Sequence, residues 1–490
     1  MRKTWLNETQ SRPARYVPFL VMAALAASLS ACSGGGNAPL GATVSGSGVE
    51  TKYQRDDVIA RKERLDPSDS SFAGALVADE PTAALIARNV LEQGGNAADA
   101  ATALYFALSV TYPAAAGLGG GGVCLVHEAK KPGAESIAFL PRRPSAGGPF
   151  AIPGNVRGFA LLHAKYGSKG WSTLVSPAEK LAASGFPVSR ALGRQLADAG
   201  FAIVNSPDLQ RIYTVEGART FRELDALTQV QLASTLARIR SGGVNGFYLG
   251  TTATHLASEA QAKGGTLTAQ DLESYRPETG PAQPIASGDA SVFLPQAGLG
   301  AGAFSAALWN NIQGVAGADA LAAAAERTAI GLGAPGGAAL ERDFGSTSFA
   351  VVDSAGSAVA CAVTMNGLFG AARTAGGTGV VFAASPQDPV RGLASAFLVP
   401  VMVVNPNTKA LYFAGAGAGA PKGGAAIEHA VQAALSNGEA GSRALASGPA
   451  DARSPANAII CPDGLPAGTC TLGVTPSGNG VGLGAVASGS

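Results

Sequence analysis

The chain has 490 residues, 47% of them hydrophobic, which is enough to bury a sizeable core and excludes a disordered polymer. Its 35 basic and 34 acidic side chains nearly cancel, which excludes a strong net field toward nucleic acid or anionic lipid and points to a small-molecule partner. With 66 glycines and only 6% aromatic residues, the core is expected to be Ala, Val and Leu under close backbone contacts.

At the N-terminus, Arg2, Lys3, Arg12 and Arg15 precede the apolar run Tyr16–Ala27, a targeting pattern too short to span a bilayer. It ends in Leu29-Ser30-Ala31-Cys32, which is similar to the lipobox of bacterial lipoproteins, whose Cys is acylated and becomes the new N-terminus. The plainer alternative is a signal peptide cut before a chance Cys. Residues 1–32 are thus assigned to a lipoprotein signal and 33–69 to a flexible tether, beginning with the Gly/Ser/Ala-rich stretch Ser33–Gly48. The expected location is the cell envelope, on the periplasmic side of a membrane, with the outer one favoured, or the cell exterior, held through the lipid.

The periodicity of Pro81–Glu92 predicts a helix stopped by Gly94-Gly95-Asn96, and a second helix over Ala97–Val110. Gly117-Leu118-Gly119-Gly120-Gly121-Gly122 then lets the backbone pass close to something, and the strand Val123–Val126 follows. A phosphate loop is rejected, because no Lys-Ser or Lys-Thr pair and no helix come next. Residues 151–280 read as mostly helical, with Thr268 and Asp271 in a capping box and Pro177 in a first turn. The Ala/Gly-rich stretch 281–342 carries no clear pattern. A β-hairpin is predicted from Thr347–Val352, the turn Asp353-Ser354-Ala355-Gly356 and Ser357–Thr364. A second is predicted from Val399–Val404 and Ala410–Phe413 around Asn405-Pro406-Asn407, followed by a helix over Ala425–Leu435 and a frayed tail after Pro476.

Beyond Cys32, Cys124 and Cys361 lie in apolar runs and read as small buried hydrophobes, whereas Cys461 and Cys470 flank a loop and are expected to pair. No two of His127, His163, His255 and His429 have metal-ligand spacing, so no metal and no cofactor are expected. The Gly-x-Ser-x-Gly elbow and the Ser-x-x-Lys motif are both missing. A hydrolase built on this chain needs another kind of nucleophile.

Several stretches in order carry a resemblance: Glu92-Gln93-Gly94-Gly95-Asn96-Ala97-Ala98-Asp99-Ala100, the Gly117–Gly122 run, Ile152-Pro153-Gly154, Tyr166-Gly167, Gly185-Phe186-Pro187-Val188-Ser189, Phe247-Tyr248 and Gly264-Gly265-Thr266-Leu267-Thr268. Over 70–280 and 343–435 the chain resembles the γ-glutamyltransferase family of N-terminal-nucleophile hydrolases. The resemblance implies an α/β fold of the α+β kind, a four-layer α/β/β/α sandwich, and a precursor that cuts itself into a large part, 70–345, and a small part, 346–490. Ser346-Thr347-Ser348-Phe349-Ala350-Val351-Val352-Asp353 stands where the family's small subunit begins. Ser346 then matches the nucleophile, with the cut after Gly345, and Thr347 matches the Thr that supports it. A hydroxyl at a new N-terminus has its own α-amine as general base, and that amine has a pKa of about 7.7 to 8.0. Asn366 and Asp388 match groups that hold the glutamyl α-amine and α-carboxylate. Ala418 and Gly419, in Gly415-Ala416-Gly417-Ala418-Gly419, match the backbone donors of an oxyanion hole.

The departures concern substrate. The family's Phe-Arg-Glu aligns with Phe139-Leu140-Pro141, so the Arg that forks onto the α-carboxylate is missing, and Arg142 is the nearest replacement. The paired Ser falls at Ala396 and Phe397, and the His after the two Thr is Ser348. The expected function is an amidohydrolase or acyltransferase acting on γ-glutamyl, glutathione-like or related amides. The alternative is a weakly active or inactive member kept as an envelope binding or structural lipoprotein.

Overall fold

The computed structural model describes residues 71–298, 300–438 and 441–487. The signal segment with Cys32 and the tether 33–69 lie outside the described residues.

In chain order the strands of the two large sheets are β1 (Phe72–Ala78), β2 (Gly121–His127), β3 (Glu135–Phe139), β4 (Glu278–Pro281), β5 (Gln283–Ser287) and β6 (Ala290–Leu294). They continue as β7 (Ser346–Asp353), β8 (Ala358–Thr364), β9 (Val399–Val404), β10 (Leu411–Gly417), β11 (Ala456–Leu465), β12 (Thr471–Val474) and β13 (Val481–Val486). One sheet has the order β13-β1-β7-β8-β2-β3-β4 and the other β12-β11-β10-β9-β6-β5. Successive side chains of a strand point to opposite faces, and this sorts the core into layers. In β7, Phe349 and Val351 join Leu76, Tyr105 and Phe159 beneath the helices, while Ala350 and Val352 join Met402, Ala414 and Ile459 between the sheets. Beyond the second sheet, Phe304, Leu308 and Ile427 pack with Val399 and Val401. Helix, sheet, sheet and helix thus stack as four layers.

Helix Pro81–Glu92 forms over the expected span, and helix Ala97–Thr111 starts from an Asn96–Asp99 capping box and is buried along its whole length. Thr268 and Asp271 form their capping box as well. Pro177 does not sit in a first turn: it lies inside helix Trp171–Ser184, which begins two turns earlier. The tail is not frayed, because Val481–Val486 pairs with β1 as an outer strand. Gly482 there lets the backbone lie against Leu472, whose Cβ is 2.8 Å from the place a Cβ would occupy. The stretch 281–342 contributes β5, β6 and two helices, Gly300–Asn311 and Ala318–Gly331.

Cys124 and Cys361 are not free hydrophobes. They face each other across β2 and β8, with Cα atoms 4.1 Å apart and sulfurs joined at 2.04 Å. They are 237 residues apart in the chain, and only the strand register brings them together. Cys461 and Cys470 are also joined, at 2.10 Å.

Candidate active site

The residues at the start of β7 sit where it meets the end of β8. In the antiparallel register Ser346 faces Thr364, and both side chains share the inward face carried on by Ser348, Ala350 and Ala362. Ser346 is 6% exposed, and Thr347, Ser348, Thr364 and Asn366 are fully buried.

Ser346 Oγ donates to Thr364 Oγ1 at 2.9 Å. Thr364 Oγ1 in turn accepts the Asn366 N–H at 2.9 Å, and its one hydroxyl hydrogen is shared between the carbonyl oxygens of Gly345 at 3.2 Å and Phe344 at 3.3 Å. That oxygen also accepts the Met365 N–H at 2.9 Å. Two donors therefore converge on the carbonyl immediately before Ser346. Gly345 has φ +58°, in the left-handed region, and an added Cβ would land on the Gly367 carbonyl. Its N–H donates to Asp343 Oδ1 at 2.7 Å. Burial pushes the Asp343 carboxyl up to about 6, with the Gly345 hydrogen bond opposing that rise.

The Gly117–Gly122 run passes close behind this clasp. A Cβ on Gly120 would strike the Thr364 carbonyl, and one on Gly117 would lie 3.2 Å from the Met365 sulfur. The close approach expected of these glycines is therefore to protein backbone.

Thr347 Oγ1 donates to Asp79 Oδ2 at 2.6 Å, and Asn457 Nδ2 donates to Asp79 Oδ1 at 2.8 Å and to the Ser348 carbonyl at 2.9 Å. Asp79 thereby pins β1, β7 and β11 together. Burial raises its pKa, and the hydrogen bonds from Asn457, Thr347 and the Ser348 N–H oppose that rise.

Asn366, at φ +55°, donates to the Ala384 carbonyl at 3.0 Å and accepts the Ser395 hydroxyl at 3.2 Å. Ala384, Ser385, Gln387 and Asp388 line a cavity of about 440 Å³ with Gly148, Pro149, Phe150, Lys263, Ala371 and Arg373. Asp388 Oδ1 accepts the Val390 N–H at 3.0 Å, so this residue also shapes its own turn.

Two expected residues are placed differently. Arg142 pairs with Glu278 and lies over the Tyr275 ring at 4.9 Å, away from the cavity wall that carries Asp388. The Ala418 N–H is already committed to the Pro455 carbonyl at 2.9 Å, because pairing with the segment before β11 continues past the end of β10. Gly419, at φ +89°, makes a turn in which an added Cβ would strike the Arg453 carbonyl. Sequence reasoning missed Thr364, Asp79 and Ser395. Thr364 was within reach as the residue that hairpin register sets opposite Ser346, and Ser395 lies one position before Ala396 and Phe397, where the family's paired Ser falls. No local signal marks Asp79.

Residues 83–309 match the family model for γ-glutamyltranspeptidase. The glutathione hydrolase proenzyme of Escherichia coli (strain K12) is 35% identical over 225 residues, covering 41% of this chain and 38% of that protein. The corresponding proenzyme of Bacillus subtilis (strain 168) is 32% identical over 224 residues. Over residues 83–309 the chain is similar to the γ-glutamyltranspeptidase family. The family match ends before Ser346, and the alignment spans about two fifths of the length of these curated relatives. The fold extends further than the sequence match. The cephalosporin acylase of Bacillus halodurans superposes with a TM-score of 0.69 at 17% identity, covering 86% of this chain and 97% of that one. The four-layer fold is the one this acylase has.

Proposed function

We propose that the chain is a self-processing amidohydrolase or acyltransferase, with Ser346 as the nucleophile and γ-glutamyl or related amides as donors. The observation that carries this is the Gly345 carbonyl oxygen held by the Met365 N–H at 2.9 Å and Thr364 Oγ1 at 3.2 Å, with Ser346 Oγ on the same Thr364. When Ser346 Oγ attacks the Gly345 carbonyl carbon, negative charge grows on that oxygen, where the two donors already point. Collapse breaks the Gly345–Ser346 peptide bond, and the nitrogen of Ser346 takes up the hydroxyl proton. An ester then joins Gly345 to Ser346 Oγ. Water hydrolyses it, leaving a Gly345 carboxylate and a free Ser346 α-amine and hydroxyl.

In turnover the α-amine takes the Oγ proton as Oγ attacks the donor amide, and passes it to the departing amine. Water or an acceptor amine then removes the acyl group. Thr347, tied to Asp79, holds the first residues of β7 in line for this. The two disulfides are in keeping with an oxidising compartment, and we place the protein in the cell envelope, anchored through Cys32. Purified wild-type protein should give two fragments on a reducing denaturing gel, and Ser346→Ala one. A wild-type chain that stays whole on prolonged incubation overturns the proposal.

A further inference from the structure

We infer that the Phe344 ring fills, in the uncut chain, the slot that takes an aromatic ring on the acyl part of the donor once the chain is cut. This rests on Ser346 being the nucleophile, and it narrows the related amides to one class. The acyl group has an unbranched methylene beside the reacting carbonyl and an aromatic ring one residue further on.

The uncut chain already holds an amide where Ser346 Oγ can attack it. The acyl side of that amide is Phe344-Gly345, and its amine side begins at Ser346. The Phe344 carbonyl oxygen lies 3.4 Å from Ser346 Oγ and accepts the Gly367 N–H at 2.6 Å. The Gly345 carbonyl, the one to be attacked, accepts the Met365 N–H at 2.9 Å. Two backbone donors of one turn thus hold both carbonyls against the nucleophile. A substituent between them is excluded, because a Cβ on Gly345 would lie 2.1 Å from the Gly367 carbonyl oxygen.

The Phe344 ring is fully buried. It meets Phe397 edge to face with centroids 5.6 Å apart, and Phe397 meets Phe304 in the same way at 5.0 Å. Phe397 is one of the two residues that stand where the family's paired Ser falls, so an aromatic wall replaces a hydroxyl there. Leu340 joins the same apolar cluster, whereas Glu341 and Arg342 are exposed. The end of the first part is therefore held by two apolar side chains and by the bonds around Gly345.

Cutting weakens that hold. Hydrolysis leaves a carboxylate on Gly345, whose N–H is 2.7 Å from Asp343 Oδ1. Two carboxylates then share one partly desolvated corner, where like charges repel and neither is well hydrated. The tail swings out through its exposed stretch and leaves the slot beside Ser346, with Phe397 as its wall. A donor places its ring there and its methylene where the Gly345 Cα stood. Ser346 Oγ adds to the amide carbonyl carbon, the C–N bond breaks, and the amine leaves with the hydroxyl proton passed on by the α-amine. Water then splits the ester into the free acid and Ser346.

The test assays processed wild type on the 4-nitroanilides of acetyl-Phe-Gly, acetyl-Ala-Gly and acetyl-Phe-Ala. We expect kcat/KM for the Phe-Gly donor to exceed that for Ala-Gly by about tenfold to a hundredfold, the worth of burying one ring. The Phe-Ala donor should fall about tenfold or more below Phe-Gly, because its methyl meets the Gly367 carbonyl. Phe397→Ala should lower the preference for Phe-Gly over Ala-Gly about threefold or more, through the lost ring contact. Phe397→Leu, which keeps the core filled, gives the same readout where Phe397→Ala does not fold. On a cut chain, equal rates for Phe-Gly and Ala-Gly, or a preference that both Phe397 variants leave untouched, overturn the slot and leave the nucleophile standing. A wild type that stays uncut on the gel overturns both.

Discussion

Removing the Cys124–Cys361 bridge should change what a cut at Gly345 produces. Cys124 lies before the cut and Cys361 after it, whereas Cys461–Cys470 closes within the second fragment. Among the described residues, the first bridge is then the one covalent link between the two fragments. In an uncut chain it closes a loop of 237 residues, for which the chain-entropy relation gives about 5 kcal/mol. After the cut it closes no loop and instead makes reassociation of the fragments intramolecular. With thiols blocked before denaturation, wild type should run as one band without reductant and as two with it. Cys124→Ala with Cys361→Ala should give two bands either way, and a melting temperature that rises with protein concentration. In a Ser346→Ala background the same pair should lower the urea-unfolding free energy by up to about 5 kcal/mol with no concentration dependence. Two bands from blocked wild type without reductant would show that the fragments are not bridged and refute the reasoning.

Gly345→Ala places a Cβ against the Gly367 carbonyl at a left-handed φ, costing about 2 to 5 kcal/mol from backbone conformation and overpacking together, and should slow self-cleavage at least tenfold in a time-course gel. Unchanged cutting would mean the clasp on the Gly345 carbonyl does not matter. Asp343 has its carboxyl raised from 3.8 to about 6, so its contribution to stability is full below about pH 4 and is lost as pH rises through about 6. Asp343→Asn should therefore gain up to about 2 to 3 kcal/mol near neutral pH and nothing at pH 3, and parallel unfolding curves for the two proteins would sink this. Cys32→Ser should release the protein from membranes or leave its precursor unprocessed, and wild type recovered without detergent in the soluble periplasmic fraction would contradict anchoring.

Elements that depend on local signals were legible from the amino acids. Helices Pro81–Glu92 and Ala97–Thr111 carry their own caps and stops, and the β7–β8 hairpin carries its turn in Asp353-Ser354-Ala355-Gly356. Elements specified by distant neighbours were not. The strand β10 runs on to Gly417 through residues that read as a turn, because Gly415 and Gly417 leave room for Asn457 and Gly423. The same holds at the site. Ser346, Thr347 and Asn366 come together as expected, since one hairpin carries them all. Asp79 reaches Thr347 across 268 positions, a contact that no local pattern announces.

The order of strands in the first sheet has a consequence for how such a protein can be made. The segment β7–β8, which belongs to the part after Gly345, lies between β1 and β2 from the part before it, and β13 covers the outer edge of β1. Expressed alone, the first part would present both edges of β1 and one edge of β2 with unpaired N–H and C=O groups, a template for aggregation. The second part would carry β7–β8 with no strand on either side. Each half lacks the other's filling, so the sheet is expected to assemble on the continuous chain, and under the proposed processing the peptide bond before Ser346 would act as a temporary scaffold for folding. Two separately translated halves should reconstitute poorly, however well each is produced.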